Sequence, residues 1–180
     1  NQAVILSYSR LDFRGTKSKP IHITSKKRDG KALVVLLANR NKAGKSVLRN
    51  VLFSHLSAPQ IPAWSISASV MFYESDVAID SCSFSDNHYG DDFLNIFRSN
   101  YSILNSKFRN ILADAFDGDF CDGIVENTSF YNIGNDGIDV SDEDKELKKQ
   151  EMKEQWKEFL PLSPEEKKQK LEDYVKSLKN

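Results

Sequence analysis

What the chain lacks narrows its class first. Two cysteines in 180 residues cannot make a disulfide framework. Cys82 and Cys121 form no CxxC pair and no zinc-type spacing, so both read as packed free thiols, with a single disulfide between them left open. No apolar run reaches the roughly 18 residues a membrane span needs, so no membrane is expected as a partner. No P-loop, dinucleotide motif, Ser/His/Asp order or Cys/His pair is found. The chain does not begin with Met, and no signal peptide is visible. Its opening, Asn1-Gln2-Ala3-Val4-Ile5-Leu6, reads as a strand already under way, which points to a mature fragment or a trimmed piece of a longer protein.

The net charge of −1 hides an asymmetry. Residues 1–50 carry twelve Lys/Arg against Asp12 and Asp29, whereas residues 70–140 carry thirteen acids against Arg98, Lys107 and Arg109. A basic end attracts acidic polymers and an acidic end attracts cations. The basic stretch Lys17–Lys31 has few aromatic neighbours for stacking bases, so nucleic acid is not expected as a partner.

Internal repetition is the strongest signal present. Val47-Leu48-Arg49-Asn50-Val51-Leu52-Phe53 aligns with Ala78-Ile79-Asp80-Ser81-Cys82-Ser83-Phe84, Ser102–Phe108 and Ile124–Phe130. Each copy carries a small polar residue (Asn50, Ser81, Asn105, Asn127) three places before a Phe (Phe53, Phe84, Phe108, Phe130). A second landmark follows: Asp92-Phe93-Leu94-Asn95 matches Asp114-Ala115-Phe116-Asp117 and Asp136-Gly137-Ile138-Asp139. The unit is 22 to 24 residues and shows short Ile/Val/Phe alternation rather than helical periodicity. Three short strands and their turns need about this length. Successive coils then stack at strand spacing, about 4.8 Å, with Phe on Phe and Asn on Asn. The Asn residues are expected at a tight bend, bonding the neighbouring coil.

The V-x-I-x-[NS]-x-x-F units, with Gly90–Ile96 and Gly134–Val140, resemble the right-handed parallel β-helix repeat of the pectin-lyase-like superfamily. The expected fold is therefore mainly β: a right-handed parallel β-helix over residues 1–141. The resemblance also implies that acid clusters on one sheet hold Ca²⁺ or help cleave polyuronates, and that the parent is secreted or at the cell surface.

After Ser141 the composition changes. Residues 142–180 hold eleven acids and ten lysines, with no Gly and no Arg. Leu147, Met152, Trp156 and Phe159 form a loose stripe, and Ser163-Pro164-Glu165-Glu166 has the form of a helix start. Leu171, Tyr174, Val175 and Leu178 fall on one helical face. The expectation is a helical hairpin over 142–180 that closes the open end of the solenoid. Its idealised Glu/Lys surface reads as a designed cap on a truncated natural solenoid, with a natural helical cap or the start of a coiled-coil linker as the alternative.

The Asp column is the leading chemical candidate. Asp92, Asp114 and Asp136 should stack, as should Asn95, Asp117 and Asp139. Carboxylates about 5 Å apart repel unless protonated, hydrogen-bonded or bridged by a cation. Asp92, Asp114, Asp117, Asp136 and Asp139 are thus the candidate Ca²⁺ ligands, and no cofactor is required. Against this stands the plainer role of Asp side chains capping strand ends. Asp91, Asp92 and His88 are the candidate catalytic set for glycoside cleavage, a loose match to polygalacturonase-like enzymes whose Gly-His-Gly and Arg-Ile-Lys elements are missing. Trp64, Tyr73 and Arg98 are the candidate substrate-binding residues. His22 and His55 read as surface or packing residues. Two functions of different class follow. One is a non-enzymatic β-helix scaffold; the alternative is a secreted module that binds or cleaves acidic polysaccharide with Ca²⁺. Self-association through the N-terminal edge is also expected, because Asn1–Phe13 offers an open strand.

Overall fold

The computed structural model describes residues 3–25, 31–40, 42, 44–61, 64–141, 163, 166 and 169. The chain divides into two compact units, Asn1–Pro59 with Ile66–Asp142, and Gln60–Ser65 with Glu143–Asn180.

The first unit is a parallel solenoid built by repeating three strands. Coil 1 is β1 (Ala3–Ser7), β2 (Asp12–Arg14) and β3 (Ile21–Thr24). Coil 2 is β4 (Lys31–Leu36), β5 (Ser46–Arg49) and β6 (Val51–Ser54). In the other unit, β7 (Gln60–Ile61) and β8 (Trp64–Ser65) pair antiparallel. Coil 3 is β9 (Ala68–Tyr73), β10 (Val77–Asp80) and β11 (Ser83–Ser85). Coil 4 is β12 (Asp92–Phe97), β13 (Asn100–Leu104) and β14 (Lys107–Ile111). Coil 5 is β15 (Asp114–Asp119), β16 (Asp122–Glu126) and β17 (Ser129–Ile133), and β18 (Ile138–Ser141) begins a sixth. Like strands stack: sheet A runs β1-β4-β9-β12-β15-β18, sheet B β2-β5-β10-β13-β16, and sheet C β3-β6-β11-β14-β17.

The repeat spacing sets this register. Phe53, Phe84, Phe108 and Phe130 face one another in sheet C. Their rings stack at 5.0, 4.6 and 5.1 Å between centroids, within 9° of parallel. Parallel strands lie about 4.8 Å apart, so one aromatic per coil at one position fills the core with a continuous ladder. Leu48, Ile79 and Ile103 supply the matching column in sheet B, and Leu33, Val70, Leu94 and Phe116 that in sheet A; all are fully buried.

Coils 2 to 5 turn their corners on left-handed residues. Asn50, Ser81, Asn105 and Asn127 lie between sheets B and C with φ of 47°, 55°, 51° and 49°. This is the bend expected from the Asn column, since Asn tolerates the left-handed region better than most residues. Asn105 Nδ2 donates to Asp80 Oδ1 at 2.9 Å, and Asn50 Nδ2 to the Gly15 carbonyl at 3.2 Å. Two further columns share the conformation: His55, Asp86, Asn110 and Asn132 at the C-terminal ends of the sheet C strands, and Leu37, Glu74, Arg98 and Phe120 between sheets A and B. The second of these shows no turn signature in the sequence.

The cysteines sit in different columns of buried hydroxyls. Cys82 shares its position with Ser106, whose Oγ accepts from the Cys82 N–H at 3.1 Å, and the Cys121 thiol reaches the Ile96 carbonyl at 2.9 Å. Both are free, and burial pushes each thiol up to about 11, so neither is a nucleophile at neutral pH.

The helical hairpin expected over 142–180 is corrected. Every described element is a strand; Glu166 and Gln169 are helical, but no helical element stands among the described residues. Glu/Lys pairs at helical spacing contribute only tenths of a kcal/mol each, so periodicity of charge is weak evidence for a helix. The stripe Leu147, Met152, Trp156 and Phe159, and the face Leu171, Tyr174, Val175 and Leu178, lie outside the described residues. Within that stretch Ser163 and Glu166 exchange two bonds, Ser163 N–H to Glu166 Oε2 at 2.7 Å and Glu166 N–H to Ser163 Oγ at 3.2 Å. Ile138 and Val140, in core columns at the end of the solenoid, are 45% and 48% exposed.

Candidate functional site

The site lies where the chain passes from sheet C into sheet A. Gly90 makes the approach, with φ of 121°. A Cβ there would lie 2.7 Å from the Ser67 carbonyl oxygen and 2.8 Å from the Ala58 Cβ, so only glycine lets the backbone pass. The Asp91 N–H then donates to that same carbonyl at 3.0 Å, and the Asp114 N–H donates to the Asp91 carbonyl at 2.8 Å. The two acidic positions are thereby held one coil apart.

Phe93 and Leu94 are consecutive and both belong to the core, as do Ala115 and Phe116. The residues flanking each pair therefore turn away from the core. On β12 these are Asp92 and Asn95, and on β15 Asp114 and Asp117. Strand register sets Asp92 beside Asp114, Asn95 beside Asp117, and Asp117 beside Asp139. The register thus sets Asn95, Asp117 and Asp139 in one stack, and Asp92 and Asp114 in the other, which Asp136 joins through its backbone N–H. Their side chains are nonetheless out of water, with Asp92, Asn95, Asp114 and Asp117 only 3%, 4%, 7% and 7% exposed.

Hydrogen bonds account for part of this burial. Ser67 Oγ donates to Asp92 Oδ2 at 2.7 Å, and Asn95 Nδ2 donates to Asp117 Oδ2 at 2.9 Å. Asp114 Oδ1 accepts from Asn135 Nδ2 and from the Asp136 N–H, both at 2.8 Å. Asp136 itself is exposed and caps the turn through its backbone. Asn95 Oδ1 is buried with no partner. Asp117 and Asp119 have partners beyond those named.

Burial above all, then the charge of Asp117, pushes the Asp92 carboxyl up to about 8, with Asp91 and Asp114 adding to the shift and the Ser67 hydroxyl opposing it. Asp92 is neutral at pH 7. Carboxyl oxygens of Asp91, Asp92 and Asp114 lie within 4.8 Å of one another, the one group among the described residues that could hold a metal ion. Such a trio supplies hard oxygen donors of the kind Ca²⁺ prefers.

The other candidates go elsewhere. His88 is half-buried, its N–H bonded to the Leu56 carbonyl at 3.3 Å and its ring 5.7 Å from that of His55. Tyr73 is buried, stacked on Phe97 at 5.0 Å, and presents no open ring to a sugar. Arg98 stands at the opposite end of β12 from Asp92, roughly 20 Å away at about 3.3 Å per residue. Its guanidinium covers Phe97 and Phe120 and reaches Glu74 at 3.9 Å. Trp64 belongs to β8 in the other unit. The residues that sequence reasoning missed are Ser67 and Asn135. Coil register would have found Ser67, because Ala68 pairs with Asp92.

No protein family, curated protein or solved structure matches the chain.

Proposed function

We propose that this chain is a non-enzymatic β-helix scaffold, of the right-handed pectin-lyase-like kind its repeat resembles, which presents the outer faces of sheets B and C. The observation that carries this reading is the burial of the acids: a carboxyl as enclosed as Asp92 cannot reach a glycosidic oxygen. A glycosidase needs two accessible carboxyls about 5 to 9.5 Å apart with substrate between them. Here Asp92 is enclosed, and Tyr73 and Arg98 stand toward the other end of sheet A. The test is reducing-end release from a panel of acidic polysaccharides, with Ca²⁺ and with chelator. No turnover is expected; turnover that vanishes in Asp92→Ala overturns the scaffold reading.

A second reading has its own support. The Asp91, Asp92 and Asp114 trio, with the partnerless Asn95 Oδ1 buried on the same face of β12, suits a Ca²⁺ ion that would let this module bind acidic polysaccharide. On this reading millimolar Ca²⁺ raises the melting temperature of the intact chain, and Asp114→Asn abolishes the rise. The same melting temperature in Ca²⁺ and in chelator removes it.

A further inference from the structure

The core columns of the solenoid run from one end to the other, and their terminal members are left open. The sheet A column reads Ile5, Leu33, Val70, Leu94, Phe116, Ile138. Its four inner members are fully buried, whereas Ile5 is 50% exposed, much like Ile138 at the other end. The other columns end the same way: Phe13 and Val125 in sheet B, and Ile23 and Phe130 in sheet C, are partly buried where their inner neighbours are closed. Among the described residues, β1, β2 and β3 on one side and β18, β16 and β17 on the other have no outer partner strand. Each such edge carries unpaired backbone donors and acceptors, a template for another parallel strand.

The two ends also carry opposite charge. Arg10, Arg14, Lys17 and Lys19 surround coil 1, with Asp12 the one acid among residues 1–25. From residue 110 to 141 there are seven acids and no Lys, Arg or His. Asp122, Glu126 and Asp136 among them are exposed. Each end would repel its own kind and attract the other.

We infer that these ends dock head to tail, β18 of one copy taking β1 of a second copy as its parallel neighbour, with Ile138 meeting Ile5. This goes beyond the scaffold reading: it makes the scaffold a unit of assembly. Sheet A extends one strand past sheets B and C, so β18 makes the strand-to-strand contact and the charges of coils 1 and 5 face each other across the remaining step. The contact is small, so association is weak and depends on concentration and salt. It is also heterologous. Each copy keeps one end free, so the series stays open rather than closing at a dimer.

The test is sedimentation velocity on the full 180-residue chain from low to high micromolar concentration, at low and high salt. Mass should rise above the 20.5 kDa monomer without a plateau at dimer, and fall back in high salt. Ile138→Lys and Ile5→Lys each block one end by setting a charge against an isoleucine of the next copy, and each should remain monomeric alone; where the two altered ends meet, Lys faces Lys. Mixed, they should form a dimer and nothing larger, because each retains the end the other lacks. Val140→Lys, in the neighbouring core column, replaces Ile138→Lys if circular dichroism shows that variant unfolded. A monomer at every concentration and salt overturns the inference. So does a closed dimer that Ile138→Lys disrupts and Ile5→Lys leaves intact, which would be acidic end against acidic end.

Discussion

The two borders of sheet A handle the same demand in opposite ways. At the border with sheet B the column reads Leu37, Glu74, Arg98 and Phe120. Unlike groups follow one another there: Arg40 Nε meets Glu74 Oε2 at 2.7 Å, Arg98 faces Glu74, and Arg98 lies over Phe120. At the border with sheet C, like follows like, Asp92 beside Asp114 and Asp136 one coil further. Stacking repeats whatever the coil places at a position every 5 Å or so. Alternating groups make a ladder of weak attractions. Repeated acids, once enclosed, must lose charge or share a proton or cation. The first border is a joint, and the second is where this fold stores electrostatic cost.

The largest expected effect tests that cost. Asp92 holds its proton up to about pH 8 in the folded chain, against an ordinary value of 3.8. Between those values the unfolded chain has released a proton that the folded chain keeps. The contribution of Asp92 to stability is therefore full below about pH 4, declines as pH rises toward 8, and levels off above it. At ~1.4 kcal/mol per pKa unit the decline amounts to several kcal/mol at most. Asp92→Asn keeps an acceptor for Ser67 and removes the titration. It should raise stability at pH 7 by about 2 kcal/mol or more and flatten the profile, read from urea unfolding across pH. An unchanged slope in the variant would mean that another group carries the pH dependence.

A middle-sized effect belongs to the Asn corner between sheets B and C. Asn105→Ala loses the bond to Asp80 and places a Cβ-bearing residue with no helpful side chain in the left-handed region. The two losses together come to about 2 kcal/mol. Asn105→Gly keeps the conformation and loses only the bond, about 1 kcal/mol. The Asn105 amide also holds the Asp80 carboxyl below the usual range, so either variant should let the Asp80 pKa rise, measurable by NMR titration. Equal midpoints for the two variants would show that the left-handed conformation costs nothing here.

How much of this was legible follows from the same chemistry. The ladder Phe53, Phe84, Phe108, Phe130 and the bend at Asn50, Ser81, Asn105 and Asn127 could be read because one residue type recurs at one spacing and has one physical use there. The Asp stacks were legible for the same reason. Their burial was not, because alternation predicts which side chains leave the core and says nothing of what else encloses them. The corner at Leu37, Glu74, Arg98 and Phe120 was invisible, since none of these residues favours positive φ. There the shape is imposed by the coil on either side: the Glu74 N–H bonds to the Phe97 carbonyl and the Arg98 N–H to the Asp119 carbonyl, both at 2.9 Å. For Arg98, a substrate-binding candidate in the sequence, one coil of register supplies Glu74, 24 residues earlier, at 3.9 Å. The charged tail misled in the opposite direction, because charge at helical spacing stabilises a helix only weakly.

The smallest effect sharpens the joint itself. Arg98 has φ of 48°, which costs a residue other than Gly or Asn roughly 1 kcal/mol. Arg98→Gly recovers that strain. It forfeits a part-exposed cation–π contact of about 0.5–1 kcal/mol and an ion pair worth close to nothing, and adds chain entropy to the unfolded state. The gains and losses nearly cancel, so Arg98→Gly should lie within ~0.5 kcal/mol of the parent. Arg98→Ala keeps the strain and loses the contacts, so it should fall about 1 kcal/mol below. The order of the two urea midpoints is the informative quantity. Glycine above alanine means that neighbouring coils hold a strained residue in place. Alanine above glycine would mean that the backbone is relaxed here, and that the stacked Glu74, Arg98 and Phe120 side chains set the corner themselves.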